Sequence, residues 1–329
     1  MPDVMGVSTY ASVFLTMALI NGIACLGLNL QWGQTGLFNV GVAGFVAIGA
    51  YSSALLTTAP VDGRFGGFGL PIALGLVGAM VAAGAMSALI GAITLRLRSD
   101  YLAITTFGVG VAVQLILRNE QALTGGAFGI SFIPRPFASL ADRPLSFGMA
   151  NLALVGVLVV ALVMALEKLV RSPWGRVLRA VREDERAARA LGKNAAHYRL
   201  QAFALGGAVM GLAGGLEAHL IGFIAPEAFD ASLTFLIWTM LVVGGSGNNM
   251  GALLGAGLVS VIWSASGLAT GVLFAPEEQA RAAALRNVAI GVLLAATIVL
   301  RPRGLIGERL IVSKHLGELG SGRSRSAES

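Results

Sequence analysis

"MALINGIACLGLNLQWGQTGLFNVGVAGFVAIGAY", residues 17–51, contains no charged side chain, and the uncharged run around it extends from Val4 to Val61. About 20 apolar residues in helix, rising ~1.5 Å each, cross the ~30 Å hydrocarbon layer of a bilayer. The run is therefore long enough for two crossings, hinged at the polar connector "QWGQTG" (31–36). Bulk composition agrees. The 329 residues are 56% hydrophobic and 12% charged, with mean hydropathy +0.79, whereas soluble domains carry about 25% charge. The 45 glycines are many for soluble helices but suit membrane helices that pack through small residues.

Further uncharged runs cover 65–95, 101–117, 144–166, 200–216, 231–276 and 287–300. They predict an all-α polytopic membrane bundle of about nine transmembrane helices, with eight to ten allowed. The spans fall near 13–31, 38–58, 70–95, 101–117, 147–166, 200–220, 231–245, 251–271 and 283–300. The segment 38–58 is the least span-like, and glycine-broken segments leave re-entrant alternatives open. Residues 1–307 form one transmembrane domain, and the Ser-, Gly- and Arg-containing tail 308–329 reads as disordered.

Cytoplasmic loops are enriched in Lys and Arg. Placing the loop 167–199 in the cytoplasm and alternating sides puts 17 of the 23 basic residues inside. Arg64, Arg118, Arg135, Arg143, Arg281 and Arg286 fall outside. The N-terminus is then outside and the C-terminus cytoplasmic. No basic residue precedes the first apolar run, so that run is expected to stay as a span and not be cleaved as a signal peptide.

Several function classes drop out. The net charge of +6 has no accompanying basic stripe interleaved with aromatics, so nucleic acid is not an expected partner. A lone Cys25 and three scattered histidines, His197, His219 and His315, offer no metal-site spacing. No GxxxxGK[ST] loop is present to cradle ATP, and no GxSxG elbow to support hydrolysis. The chain reads as a transporter without a nucleotide site or cofactor of its own, not as an enzyme.

Small residues recur four apart at Gly207, Gly211 and Gly215, and again at Gly247, Gly251 and Gly255. Such ladders let helix backbones approach closely. Asn29, Gln31, Gln34 and Asn39 lie in and around the connector, and two roles compete for them. They can line a pathway for a zwitterion, or they can satisfy backbone groups freed where a helix breaks. Glu217 is the one carboxylate candidate deep in a span. It is a solvated helix end, part of an outer mouth with His219, or the coupling site of an ion-driven secondary transporter.

Charge collects instead in "SPWGRVLRAVREDERAARALGKN" (172–194); 13 of the 40 charged residues lie between Glu167 and Arg199. Ser172 and Pro173 read as a helix start and Gly192 as a stop. Val177, Leu178, Val181, Ala188 and Leu191 form a narrow apolar stripe, and Glu185 precedes Arg189 by the spacing of a helical ion pair. An interfacial helix accounts for the arginines. The interruption "EDE" and the shallow, small-residue stripe point to a docking surface for another protein.

This segment resembles the cytoplasmic EAA loop of ABC-importer permeases, in the form found in LivM-type branched-chain amino-acid permeases. "GQTGLFNVGVAGFVAIGAY" (33–51), "LRLRSDYLAITTFG" (95–108), "LTGGAFGI" (123–130), "GFIAPEAF" (222–229), "VVGGSGNNMGALLGA" (242–256) and "RPRGLIG" (301–307) are similar to further signatures of that family, in order. The resemblance implies that 172–194 is a coupling helix received by a separate ATPase. Gly175, Arg179, Arg182, Glu183, Asp184, Glu185, Ala187, Ala188 and Gly192 would make that contact, and Arg186 is an insertion relative to the general EAA pattern. It also implies a second LivH-like permease subunit, two ATPase subunits that hold the ATP and magnesium, and a periplasmic binding protein landing near residues 118–146. The implied location is the bacterial inner membrane. The implied substrate is a branched-chain or related amino acid, with urea or short amides as the alternative.

Overall fold

The computed structural model describes residues 4–61, 63, 65–95, 99–273, 278–301 and 303–307. The basic residues Arg64, Arg96 and Arg98 and the tail 308–329 lie outside these, as do the expectations placed on them. Helices dominate: α1 (Val4–Leu28), α2 (Val42–Thr57), α3 (Ile72–Thr94), α4 (Ser99–Asn119), the single turn α5 (Gln121–Thr124), and α6 (Pro144–Arg171). They continue with α7 (Pro173–Glu183), α8 (Glu185–Ala190), α9 (Ala195–Ile221), α10 (Ala231–Gly244), α11 (Asn249–Leu273) and α12 (Gln279–Leu300). The only sheet among the described residues is a two-residue antiparallel pair, β1 (Ile130–Ser131) with β2 (Phe223–Ile224).

A helix coincides with each of the nine segments expected to span. Six are long and apolar enough to cross a bilayer: Gly6–Gly33, Ile72–Thr94, Asp100–Asn119, Pro144–Arg171, Ala195–Ile221 and Asn249–Gly267. Val42–Thr57, Ala231–Gly244 and Ala284–Leu300 are shorter. α2 and α10 can be short because they are enclosed by other helices: Phe45, Val46, Tyr51, Ile237, Met240 and Leu241 are all buried. On the peripheral helices the usual size order is inverted. α3 turns Leu74, Val77, Val81 and Ile93 outward while burying Gly75, Ala79, Ala83 and Ser87. Bulky outward side chains suit lipid contact, and small inward ones let helices meet at the backbone.

The centre is α9. Gly207, Gly211 and Gly215 lie against Ser87, Ala83 and Ala79 of α3, and a Cβ on Gly211 would overlap Ala83 Cβ and the Ala79 carbonyl. Gly214 meets Val46 of α2, and Gly206 meets the Gly27 carbonyl of α1. Gly251 and Gly255 likewise seat α11 on the backbone of α10. Gly247 departs from the expected ladder. It lies in the turn between α10 and α11 with φ of 84°, where a left-handed backbone and not close helix packing calls for glycine.

After Leu28, α1 loosens into a π-helical turn, Asn29–Gly33, and the chain then runs without helix to α2. Irregular backbone at membrane depth is tolerated where the protein satisfies it. The Gly36 and Leu37 amides donate to the Trp32 and Gln31 carbonyls. Those of Val40, Gly41 and Ala43 donate to Thr106 Oγ1, Asn39 Oδ1 and Thr234 Oγ1. Trp238 Nε1 donates to the Asn39 carbonyl, and its ring packs against Trp32 and Phe38.

The connections gather at two ends. At one, the Phe65 amide bonds Ala122, β1 pairs with β2, and Arg135 reaches the Ile221 carbonyl. At the other lie α7, α8, Gly33, Gly247 and residues 303–307, whose Leu305 and Ile306 amides bond the end of α10.

Candidate functional site

The segment 172–194 is two helices, not one. Asp184 is extended (φ −150°, ψ 100°), ending α7 and capping α8 by accepting from the Arg186 and Ala187 amides. An Asx residue bonds the backbone two and three positions on as readily as it continues a helix, so the sequence "EDE" breaks the run. Ser172 does precede the first helical residue, but its hydroxyl does not cap; it donates back to the Leu169 carbonyl at 2.6 Å. Gly192 (φ 76°) ends α8 as expected. The Gly192 amide bonds Arg189 and the Lys193 amide bonds Ala188, the paired bonds of a Schellman stop.

Leu178, Val181 and Ala188 of the stripe are buried, Val177 packs beside them, and Leu191 is 80% exposed. Glu185 takes Arg189 at 2.5 Å and also Arg199 of α9 at 3.0 Å. Three further ties fix the hairpin to the bundle. Gly175 lies against the Val170 backbone, where a Cβ would overlap its carbonyl. Trp174 Nε1 donates to Gln201 Oε1 of α9 at 2.8 Å, and the Arg182 guanidinium donates to the Gly33 carbonyl at the end of the π turn. Glu183, Asp184, Arg186, Ala187 and Arg189 are exposed on the far side, with Arg179 half-buried between the two faces. Trp174, Gln201 and the Arg182–Gly33 contact had no signal in the sequence, since each depends on a partner many residues away.

The four amides around the connector are buried, and all of their side-chain groups except Gln34 Oε1, which is enclosed without a partner, are bonded within the fold. Asn29 Nδ2 donates to Asn249 Oδ1, and its Oδ1 accepts the Gly247 amide. Gln31 donates to the Phe203 carbonyl and accepts from Asn39 Nδ2; Gln34 Nε2 donates to the Gly247 carbonyl. Asn249 extends the chain of bonds to Glu167 of α6. This network ties α1, α6, α9 and the α10–α11 turn together beside the Arg182 contact.

Toward the opposite end lies a cavity of about 610 Å³ between α1, α9, α10, α11 and α12. Glu217 is on its wall, 9% exposed, and none of the four amides is. His219, expected beside it, points elsewhere: Nδ1 donates to the Pro134 carbonyl at 2.7 Å and Nε2 pairs with Ser53 Oγ. Arg286, counted from sequence as an outer charge, also lines this cavity, with its guanidinium 3.7 Å from the centre of the Trp263 ring. Its place inside an otherwise apolar segment was the legible signal.

Residues 10–298 match the family described as the permease component of branched-chain amino acid transport systems. The chain belongs to this permease family. It is 37% identical over 268 residues to the high-affinity branched-chain amino acid permease protein LivM of Escherichia coli K12, and 38% identical over 267 residues to LivM of Salmonella typhimurium. Each alignment covers 75% of this chain and 61% of the relative's length. The high-affinity branched-chain amino acid permease protein LivH of Salmonella typhimurium is 24% identical over 300 residues, spanning 89% of this chain and 93% of its own. No solved structure matches. The permease is thus a multi-pass, predominantly helical membrane protein related to transport subunits, with its ionic segment folded as a tethered hairpin at one end.

Proposed function

We propose that this permease is the transmembrane subunit of an ATP-driven ABC importer for branched-chain or related amino acids, and that α7 and α8 dock on a separate ATPase. The observation that carries the reading is the construction of that hairpin. Its inner face is bonded to α9 and to the π turn of α1, while its outer face leaves charges of both signs exposed beside Ala187. A push on the outer face has a short, hydrogen-bonded route into two buried helices.

The proposal extends to the rest of the assembly. Nine helices cross the membrane, the N-terminus is outside, and the hairpin end is cytoplasmic. The opposite end, with β1, β2 and the exposed Phe128 and Phe132, receives a periplasmic binding protein. A LivH-like second permease stands alongside and two ATPases beneath, in a bacterial inner membrane. Closure of the ATPases on ATP moves α7 and α8, and the ties through Gly33 and Gln201 carry the movement to α1 and α9. We assign the connector amides to holding that joint, because nearly all of their groups are already bonded within it.

Reconstitution tests this directly. Proteoliposomes with both permeases, the ATPases and the binding protein are expected to accumulate labelled leucine only when ATP is supplied on the hairpin side. Uptake by the permease alone on an ion gradient would overturn the proposal.

A further inference from the structure

The cavity between α1, α9, α10, α11 and α12 combines features that packing alone does not require. Among the described residues, the side chains of Asn21, Glu217, Ser260, Arg286 and Asn287 have no hydrogen-bond partner, though all line it. Glu217 and Ser260 are 9% and 5% exposed, so each is more than nine-tenths buried. Ser260 Oγ and Arg286 Nε are enclosed without any partner atom. Buried polar groups are ordinarily bonded, and leaving one unpaired costs about 1–3 kcal/mol. A carboxylate and a guanidinium that share a cavity yet do not pair across it leave a place for something carrying the opposite charges.

The rest of the wall is partly apolar, with Phe14, Met17, Leu233, Leu236 and Met240, and partly polar, with Ser232 and with Tyr10 and Ser264, whose hydroxyls pair with each other at 2.6 Å. A volume of about 610 Å³ falls within the range of small-molecule sites. Arg286 Cζ lies 3.7 Å from the centre of the Trp263 ring, a cation–π contact that holds the guanidinium without using its donors. Asp230 also borders the cavity, but its carboxylate is occupied by the Ser232 and Leu233 amides and the Ser232 hydroxyl at the start of α10. Glu217 is therefore the carboxylate left to act.

We infer that this cavity is a transit site for a zwitterionic α-amino acid with an apolar side chain. Glu217, aided by Ser260, accepts the ammonium N–H groups. Arg286 donates to the carboxylate, with Asn287 beside it, and the side chain lies among Met17, Leu236 and Met240. The inference rests on the amino-acid importer reading above and adds that the permease itself, not only a binding protein, recognises both charged ends. Occupancy satisfies groups that the protein itself does not bond, and it does so without a permanent internal ion pair that the cargo would have to break.

The test uses the full reconstituted complex at saturating binding protein, with labelled L-leucine as the probe. Glu217→Gln keeps the shape and removes the charge; Arg286→Gln removes the cation and Arg286→Lys retains one. Glu217→Gln and Arg286→Gln are each expected to lower leucine uptake at least about tenfold. Stimulation of ATP hydrolysis by the loaded binding protein should persist, showing that the complex is assembled, and Arg286→Lys should recover most of the rate. As a second readout, the purified wild-type chain in nanodiscs should retain leucine in preference to 4-methylpentanoate, which lacks the ammonium, and 3-methylbutylamine, which lacks the carboxylate. Wild-type uptake rates in both neutral variants, or equal retention of the three compounds, would overturn the site while leaving the importer reading intact. A wild-type complex that carries urea and not leucine would instead overturn the substrate reading on which the site rests.

Discussion

Gly211 sits where three backbones converge, with Ala79 and Ala83 of α3 on one side and Gly49 of α2 on the other. Gly211→Leu forces side-chain atoms into that contact, and overpacking of this kind costs about 1–3 kcal/mol. The variant is expected to aggregate several degrees lower in detergent than wild type. Gly156→Leu on α6, where an added Cβ meets nothing within 4 Å, should leave the midpoint unchanged. The four-residue spacing made the first ladder legible, because a helix places such residues on one face whatever lies opposite. The same spacing misled at Gly247, where the chain is in a turn and the periodicity is accidental. From the sequence, Arg182 was expected among the ATPase contacts on the strength of the resemblance; its bond to the Gly33 carbonyl, on the inner face, spans 149 positions and has no local signature. Arg182→Ala should leave the amount of protein in the membrane unchanged and lower substrate-stimulated ATP hydrolysis several-fold.

At the scale of the element, α8 has six residues, too few to persist by its own propensity. It is held by the Asp184 cap, the Gly192 stop and the burial of Ala188. Removing a cap costs about 1 kcal/mol, or roughly fivefold in a local opening equilibrium. Asp184→Ala should accordingly speed amide exchange at residues 186–190 about fivefold, with exchange in α7 unaltered. The sequence pattern located both ends of this hairpin and its Glu185–Arg189 pair, but not the break at Asp184. The connector after α1 was legible in the same partial way. A cluster of amides and glycines in an apolar run announces irregular backbone, yet which groups the amides would serve depended on Asn249 and Phe203, over 170 residues away.

For the whole molecule, hydropathy placed a helix at each of the nine expected segments, since burial in lipid or in protein demands the same side chains. Of the three shorter helices it singled out only the one within 38–58, because length depends on what encloses each helix. The alternation of sides is tested by single cysteines in a Cys25→Ala background, with the native thiol buried in any case. Phe132→Cys, 95% exposed in wild type, should react with an impermeant maleimide added outside whole cells, and Leu191→Cys only after the membrane is opened. The reverse pattern would invert the topology and move the hairpin away from any cytoplasmic engine.

The claim on which the account turns is that α7 and α8 are the surface gripped by an ATPase. The most direct measurement is a bismaleimide cross-link from Ala187→Cys in the assembled complex to surface cysteines of the ATPase subunit, with Phe132→Cys as the reference from the other end. The account predicts an adduct with the ATPase at 187, changed in yield by ATP, and none at 132. An assembled, ATP-hydrolysing complex that gives no such adduct at 187 would contradict it.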